Sequence, residues 1–145
     1  SVSEICSLCG MNRKSFYYHF KDKYELVIWI FQVEFIETMR VHPFSDQWAT
    51  LSEVCSYMFH EREFYRNALS YEGQNSFQDF FLSFLRSMVG LIFRERFSEK
   101  ADIGFFCNFI ADSVLCSLKR WLSTEPVIHP DVYVTNLKSV VKMLS

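Results

Sequence analysis

The apolar side chains of this sequence recur at intervals of three and four residues, and this spacing restricts the fold more than any other feature. The first segment shows it at Val2, Ile5, Cys6 and Cys9. Most later windows repeat it instead of the strict alternation of a half-buried strand. Only 4 glycines and 3 prolines interrupt the chain, against 16 phenylalanines. The sequence therefore predicts an all-α fold with long helices.

Two short helices are predicted at the start of the chain. The first ends at Gly10, a residue type that tolerates positive φ, and Asn12 can cap the second by accepting a backbone N–H. Phe16 and Phe20 then lie four residues apart on one helical face. Two short helices joined by a glycine-containing turn predict a helix-turn-helix.

A longer helix follows, capped by Asp22 with Glu25 in a capping-box arrangement, and it is predicted to run to about Val41, before His42-Pro43. Further helices are predicted over 46–60, 61–71, 76–97, 100–122 and 131–144, with breaks at 72–73, near Ser98 and at 124–130. We expect two domains. The helix-turn-helix and its linker helix occupy 1–44, and a helical bundle occupies 45–145.

Charge is distributed unevenly along the chain. The formal net charge is −2, so binding of nucleic acid would require a local basic patch. Residues 1–23 hold four basic and two acidic side chains, a net charge of +2, whereas the remainder holds 11 basic and 15 acidic side chains, a net charge of −4. A basic end on an acidic body suggests two separate tasks.

Cysteine usage and hydropathy predict a soluble, cytoplasmic protein. Five cysteines at irregular positions, in a chain without a signal-peptide pattern, favour free thiols in a reducing compartment. No apolar run reaches the roughly 18 to 20 residues of a membrane span, because charges such as Glu34, Arg94 and Asp112 interrupt each candidate. We expect no membrane partner.

The second short helix carries a face that a protein core cannot use. The side chains that project away from Phe16 and Phe20 can all donate hydrogen bonds, given a suitable state of the histidine: Arg13, Lys14, Ser15, Tyr17, Tyr18 and His19. Donors and cations with flat aromatic rings between them suit the phosphate oxygens and base edges of a DNA major groove. Lys23 begins the next helix, where the backbone dipole also favours an anion.

The stretch SVSEICSLCGMNRKSFYYHFKDKYEL resembles the DNA-binding domain of TetR-type transcriptional regulators. The shared pattern comprises the Ser-Val start, the Ser-Phe-Tyr-x-His-Phe run and the Lys-x-x-Leu that opens the linker helix. The resemblance implies double-stranded DNA as partner, with phosphate contacts from Ser1, Ser15, Tyr17, His19 and Lys23 and base contacts from Arg13, Lys14 and Tyr18. Asn12 and Lys21 complete the predicted DNA-binding surface.

Two departures from the family pattern have consequences. Members normally carry one more helix ahead of this stretch, packed on Ile5, Phe20 and Leu26, so we expect that the chain is truncated or that the preceding residues were not seen. Cys6 and Cys9 stand where alanine is usual, on the predicted buried stripe. We interpret them as small core residues, and since no second pair has zinc-site spacing, we expect no metal.

The resemblance also implies an effector pocket in the body. The segment YRNALSYEGQNSF, residues 65–77, resembles the TetR branch that includes DhaS, the activator of dihydroxyacetone kinase genes. The predicted ligand-binding residues combine aromatic rings with polar groups: Tyr57, Tyr65, Tyr71, Glu72, Gln74, Asn75, Phe81 and Phe105. The alternative is that the aromatic residues belong to the core and the polar ones to turns and caps.

The last two helices predict a homodimer. Both have apolar residues at helical spacing: Ile103, Phe106, Phe109, Ile110, Val114 and Leu118, then Val134, Leu137, Val140, Val141 and Leu144. In TetR-like proteins the last two long helices pair with their symmetry mates in a four-helix bundle. Dimerisation has a physical reason, because two recognition helices about 34 to 36 Å apart can read a palindrome.

The predicted function is a TetR-type regulator that binds a palindromic operator as a homodimer and responds to a small-molecule effector or a partner protein. The alternative is a helical protein-interaction module or coactivator whose DNA-binding head is weak or degenerate. We do not expect an enzyme or a cofactor, because no nucleophile–base pair, metal cluster or glycine-rich phosphate loop is visible.

Overall fold

The computed structural model describes residues 1–41, 46–97 and 102–144, and within these ranges it contains helices and no strand. The helices before residue 42 are α1 (Val2–Cys9), α2 (Arg13–His19), α3 (Lys23–Phe31) and α4 (Thr38–Val41). Those after residue 45 are α5 (Gln47–His60), α6 (Arg62–Ser70), α7 (Phe77–Ile92), α8 (Ile103–Ser123) and α9 (Pro130–Met143). The predicted all-α class is confirmed.

Local capping interactions begin the first two helices. The Ser1 hydroxyl accepts from the N–H of Glu4 at 3.3 Å, and the Glu4 side chain returns to the Ser1 nitrogen. Gly10 closes α1 with φ 64°, a left-handed conformation that glycine adopts without steric cost. The Asn12 side chain then accepts from the N–H of Ser15 at 2.8 Å. Gly10 thus ends α1 and Asn12 begins α2, on either side of the predicted tight turn.

The third helix is capped as predicted, with one difference. The Asp22 carboxylate accepts from the N–H groups of Tyr24 and Glu25. The Glu25 carboxylate, however, accepts from the N–H of Lys21 instead of returning to the capping residue, so the box closes one residue earlier.

The linker helix is not the uniform α-helix that the apolar spacing predicts. A π-helical segment, Gln32–Glu37, separates α3 from α4. Phe31, the last residue of α3, and Phe35, within the segment, are both buried, and their rings stack at a centroid distance of 5.4 Å. Such segments are rare and usually form single turns inside α-helices. The predicted stop at His42-Pro43 and the 44/45 domain boundary lie outside the described residues.

An aromatic cluster forms the centre of the body. Phe31 of α3 lies edge-on to rings of α6 and α7, with centroid distances between 5.5 and 6.2 Å: Tyr65, Phe77, Phe80, Phe81 and Phe84. Around this cluster α7 packs on α8, α5 on α9, and α6 on both α7 and α8. The linker helix is thus anchored directly in the body, because α3 also packs on α7.

The predicted helices of the body exist, with altered ends. The helix predicted over 76–97 ends at Ile92, and a 3₁₀ turn, Arg94–Arg96, follows it. The shorter turn places Phe93 and Phe97 against the same ring, Phe106. The predicted break near Ser98 and the start at Lys100 lie outside the described residues. Within the described ranges, no helix combines the length and apolar character needed to cross a membrane.

Candidate nucleic-acid interface

The inner side of α2 fixes this helix to the rest of the head. Phe16 is only 2% exposed and lies 5.6 Å, centroid to centroid, from Phe20. Phe20 in turn meets Trp29 of the linker helix edge to face at 5.6 Å. These contacts turn the remaining side chains of α2 away from the protein.

The outer side of α2 presents the predicted donors to solvent. Tyr17 is 49% exposed and Tyr18 is 85% exposed. Neither hydroxyl has a hydrogen-bond partner in residues 1–41, 46–97 or 102–144. The other four side chains of this face are also exposed: Arg13, Lys14, Ser15 and His19.

Helical spacing groups these side chains into neighbouring pairs. Arg13 and Tyr17 are four residues apart, and the guanidinium carbon lies 5.9 Å from the ring centroid, a cation–π distance. Lys14 and Tyr18 form the next pair along the surface. Arg13 also donates to the Ser3 hydroxyl at 3.3 Å, which ties α2 to the start of α1.

The remaining predicted DNA contacts flank α2. Lys23 is exposed in the first turn of α3, and its ammonium lies 5.2 Å from the centroid of the Tyr24 ring. Ser1 and Asn12 use their oxygens to cap helices, so only their donor groups remain for a phosphate. Lys21 is exposed beside a cleft between the head and the body. The structure therefore leaves a hydrogen-bond donor on each of these predicted DNA-binding residues available to a phosphate.

The predicted ligand-binding residues do not share one cavity. Tyr65 and Phe81 are fully buried in the aromatic core, as the alternative interpretation has it. Tyr57 is half-buried, and its hydroxyl donates to the Glu34 carboxylate. Burial, followed by that bond, raises the pKa of Tyr57, and burial also raises the pKa of Tyr65. Phe105 is 70% exposed on α8.

The polar candidates lie around the turn between α6 and α7. Glu72 forms an ion pair with Lys119 of α8 at 3.2 Å. Gln74 and Asn75 are exposed, and Asn75 has φ 62°, which identifies it as a turn residue. Tyr71 is exposed and stacks on Tyr24 of the linker helix. The hydrogen bond with Tyr24 is the main cause that raises the pKa of Tyr71.

Two clefts lie between the head and the body. One, of about 510 Å³, is mostly apolar and lies between α3 and α6, with Ile5, Leu26 and Phe64 in its walls. The other, of about 610 Å³, lies between α3 and the start of α7 and has Trp29 and Asp79 in its walls. The sequence interpretation did not single out Trp29, which lies at helical spacing from Leu26 and Val33 and yet is 49% exposed.

The outer faces of α8 and α9 expose large apolar side chains. They are Ile103, Phe105 and Phe109 on α8, and Val132, Val140 and Met143 on α9, with Leu144 just beyond. Other residues noted for dimerisation point inward, since Ile110, Leu118 and Val134 are buried within the chain. Apolar exposure on this scale is typical of an interaction surface.

The two N-terminal cysteines occupy different environments. Cys6 is buried, as predicted, but Cys9 is exposed, so its placement on a buried stripe was wrong. Cys9 is the last residue of α1, directly before the left-handed Gly10, so the spacing within the helix alone does not decide its burial. Within the described ranges, no group of His, Cys, Asp and Glu side chains is arranged to hold a metal ion.

The chain has a short helix-turn-helix with an outward row of hydrogen-bond donors, and a linker helix joins it to an α-helical body. This arrangement defines a regulator of the helix-turn-helix class. Residues 1–29 match the family of bacterial regulatory proteins of the tetR type, and residues 46–143 match the family described as the transcriptional regulator C-terminal region. The chain belongs to the TetR family of transcriptional regulators. These domains indicate a transcription factor rather than an enzyme. Searches of curated proteins and of solved structures found no significant match.

Proposed function

We propose that this protein binds a palindromic operator as a homodimer, with α2 of each protomer in the major groove. One observation carries the proposal: Tyr17 and Tyr18 are exposed beside Arg13 and Lys14, whereas Phe16 between them is buried. Because the buried Phe16 ring fixes α2 to the head, the outward hydrogen-bond donors can contact phosphates and base edges while the head stays folded.

Phosphate and base contacts divide along this surface. Ser1, Ser15, Tyr17, His19 and Lys23 contact the backbone, with Asn12 and Lys21 beside them. Arg13, Lys14 and Tyr18 reach base edges. Lys23 is suited to a phosphate because the positive end of the α3 dipole adds to its charge.

The dimer forms through α8 and α9. Their exposed apolar side chains, Phe105, Phe109, Val140 and Met143 among them, lose contact with water when two copies pair. A two-fold axis through these helices gives the two heads a fixed separation, which sets the spacing of the half-sites in the operator.

Residues 45–145 form the regulatory part, which responds to a small-molecule effector or a partner protein and transmits its state through the linker helix of domain 1–44. The resemblance of segment 65–77 supports membership of the DhaS-like branch, which is part of this proposal. The anchoring of Phe31 and Phe35 in the body core supports this route, because a shift in the body moves the helix that carries Lys23.

Selection of DNA from a random library by the complete gene product tests the proposal. We expect enrichment of palindromes. A dimer that neutralises about six phosphates should show a slope of log affinity against log salt near −5. Failure to enrich any sequence, together with an affinity that ignores salt, would instead favour a protein-interaction module with a degenerate head.

A further inference from the structure

The α6–α7 turn, residues 71–76, contacts the end of the linker helix that carries Lys23. The ring of Tyr71 stacks on the ring of Tyr24 in the first turn of α3, at a centroid distance of 4.2 Å. Tyr24 directly follows Lys23, whose ammonium lies 5.2 Å from the centroid of the Tyr24 ring. Two contacts therefore connect a side chain of the body to a side chain predicted to contact phosphate.

Contacts within the body hold the α6–α7 turn in place. The Lys119 ammonium of α8 donates to the Glu72 carboxylate at 3.2 Å and to the Gln78 side chain at 2.8 Å. One lysine thus joins the turn to α8 and to the first turn of α7. Because Tyr71 directly precedes Glu72, these bonds restrict the position from which the Tyr71 ring reaches the linker helix.

The position of the Tyr71 ring is further restricted on two sides of its contact list. A Cβ at Gly73 would lie 3.1 Å from Cε1 and 3.2 Å from the hydroxyl oxygen of Tyr71, so a larger residue at 73 would press on the ring. The Tyr71 hydroxyl also shares a hydrogen bond with Tyr24, which is the main cause that raises the pKa of Tyr71. The two tyrosines are therefore paired through both their rings and their hydroxyl groups.

A lysine that contacts phosphate gains from being ordered beforehand. The Lys23 side chain is long and flexible, so fixing it against a phosphate costs conformational entropy. An ammonium that already rests on an aromatic ring has less of this freedom to lose. The ring can order the ammonium only if its own position is fixed. Stacking by Tyr71 supplies that condition for Tyr24.

We propose that Tyr71 is a positioning residue for DNA binding: by stacking on Tyr24 it fixes the ring that orders the Lys23 ammonium for its phosphate contact. The contact with DNA rests on the proposed function, whereas the ordering of Lys23 in the free protein does not. The Lys-x-x-Leu pattern leaves position 24 unspecified, so the stack lies outside the family resemblance. It also uses none of the residues on which a preceding helix is expected to pack.

Nuclear magnetic resonance of the complete protein without DNA tests the ordering of Lys23. The ring current of Tyr24 should shift the side-chain methylene protons of Lys23 upfield from their values in an unstructured lysine. Tyr71→Ala should remove about half of this shift or more, whereas Tyr71→Phe, which keeps the stacked ring, should retain it. Lys23 protons without an upfield shift, or with a shift that Tyr71→Ala leaves unchanged, would overturn the proposal.

A double-mutant cycle tests the consequence for DNA binding. Tyr71→Ala should weaken affinity roughly threefold, the fold-change expected when an exposed cation–π contact is lost. The loss should be the same for selected and random DNA, because phosphate contacts carry no sequence information. In a Lys23→Ala background the same substitution should have almost no further effect. Fluorescence anisotropy measures all four proteins, and equal weakening in both backgrounds, or none in either, would refute the role of Tyr71.

Control variants separate positioning from general damage to the fold. Leu91→Ala on α7 removes a side chain that is 50% exposed, against 44% for Tyr71, and should leave DNA affinity unchanged. Thermal melting checks that each variant is folded, and Tyr24→Leu takes the place of Tyr71→Ala if that variant unfolds. A protein with an ordered Lys23 that binds no DNA would count only against the operator function. Salt-dependent DNA binding with additive substitutions would count only against the positioning role.

Discussion

The ring of Tyr24 stacks on the ring of Tyr71, with centroids 4.2 Å apart and planes inclined by 14°. Tyr24 follows Lys23 in the first turn of α3, and Tyr71 follows the last residue of α6, so the pair connects the head to the body. Gly73 makes room for it, because a Cβ at that position would lie 3.1 Å from the Tyr71 ring.

Replacing Tyr71 with alanine should lower the free energy of unfolding by about 0.5 to 1 kcal/mol, since stacked aromatic pairs contribute about this much and Tyr71 is partly exposed. Urea denaturation measures the change. Tyr18→Ala is the matched control, because Tyr18 is 85% exposed and removal of its ring should leave stability unchanged. Equal stability of the two variants would show that the stack contributes nothing.

Replacing Lys23 with alanine should weaken binding to all DNA sequences alike. Each protomer loses one phosphate contact, so the salt slope of the dimer should become less steep by about 2, from about −5 to about −3, at about −0.9 per phosphate. Lys14→Ala should instead make the protein less selective at particular base pairs. It should weaken the free energy of binding to the DNA site selected from the library by about 1 to 3 kcal/mol. Fluorescence anisotropy over a salt series measures both. Arg94→Ala, an exposed cation of the body, should change neither quantity.

Replacing Phe109 with glutamate should dissociate the dimer. Phe109 is 59% exposed, and its ring stacks on that of Phe105 at 6.3 Å, so a buried charge at this position would oppose pairing of the α8 faces. Sedimentation velocity measures the change in mass. Leu91→Glu on α7 places the same charge on another exposed apolar position and should leave the mass unchanged. A dimer that survives Phe109→Glu would exclude α8 as its interface.

Four of the five thiols should react in two groups, since the half-buried Cys107 belongs to neither. Cys9 and Cys116 are exposed and should react quickly with a thiol reagent at pH 8, whereas Cys6 and Cys55 are buried and should react only when the protein unfolds. Mass spectrometry after timed labelling distinguishes the groups. Slow labelling of Cys9 would show that something covers the end of α1 in solution.

Stability should fall as the solution becomes alkaline. Burial raises the pKa of the Cys55 thiol to about 12, whereas an unfolded thiol ionises near its ordinary value of about 8.5. The unfolded state therefore holds fewer protons above that pH, and the free energy of unfolding should decrease by up to about 1.4 kcal/mol per pH unit for this group. Urea denaturation between pH 8 and 10 measures the slope, and Cys55→Ala should reduce it. An unchanged slope in that variant would contradict the assignment.

Much of the head could be predicted from the sequence because its causes are local. The caps at Asn12 and Asp22 act on residues two or three positions away, and Gly10 supplies its own conformation. The burial of Phe16 with its neighbours exposed follows from helical spacing alone. The exposure of Cys9 did not follow, because it depends on which element covers that turn.

The sequence by itself determined the helices, their caps and the outward donors of α2, since residues close along the chain decide these through spacing and backbone hydrogen bonds. Only the tertiary structure decided the π-helical segment of the linker, the separation of Tyr65 and Phe81 from Phe105, and the placement of Trp29 and Asp79 in the walls of one cleft. Residues so far apart in sequence come together only when whole helices pack, and helical spacing fixes which face is apolar but not which partner that face will meet.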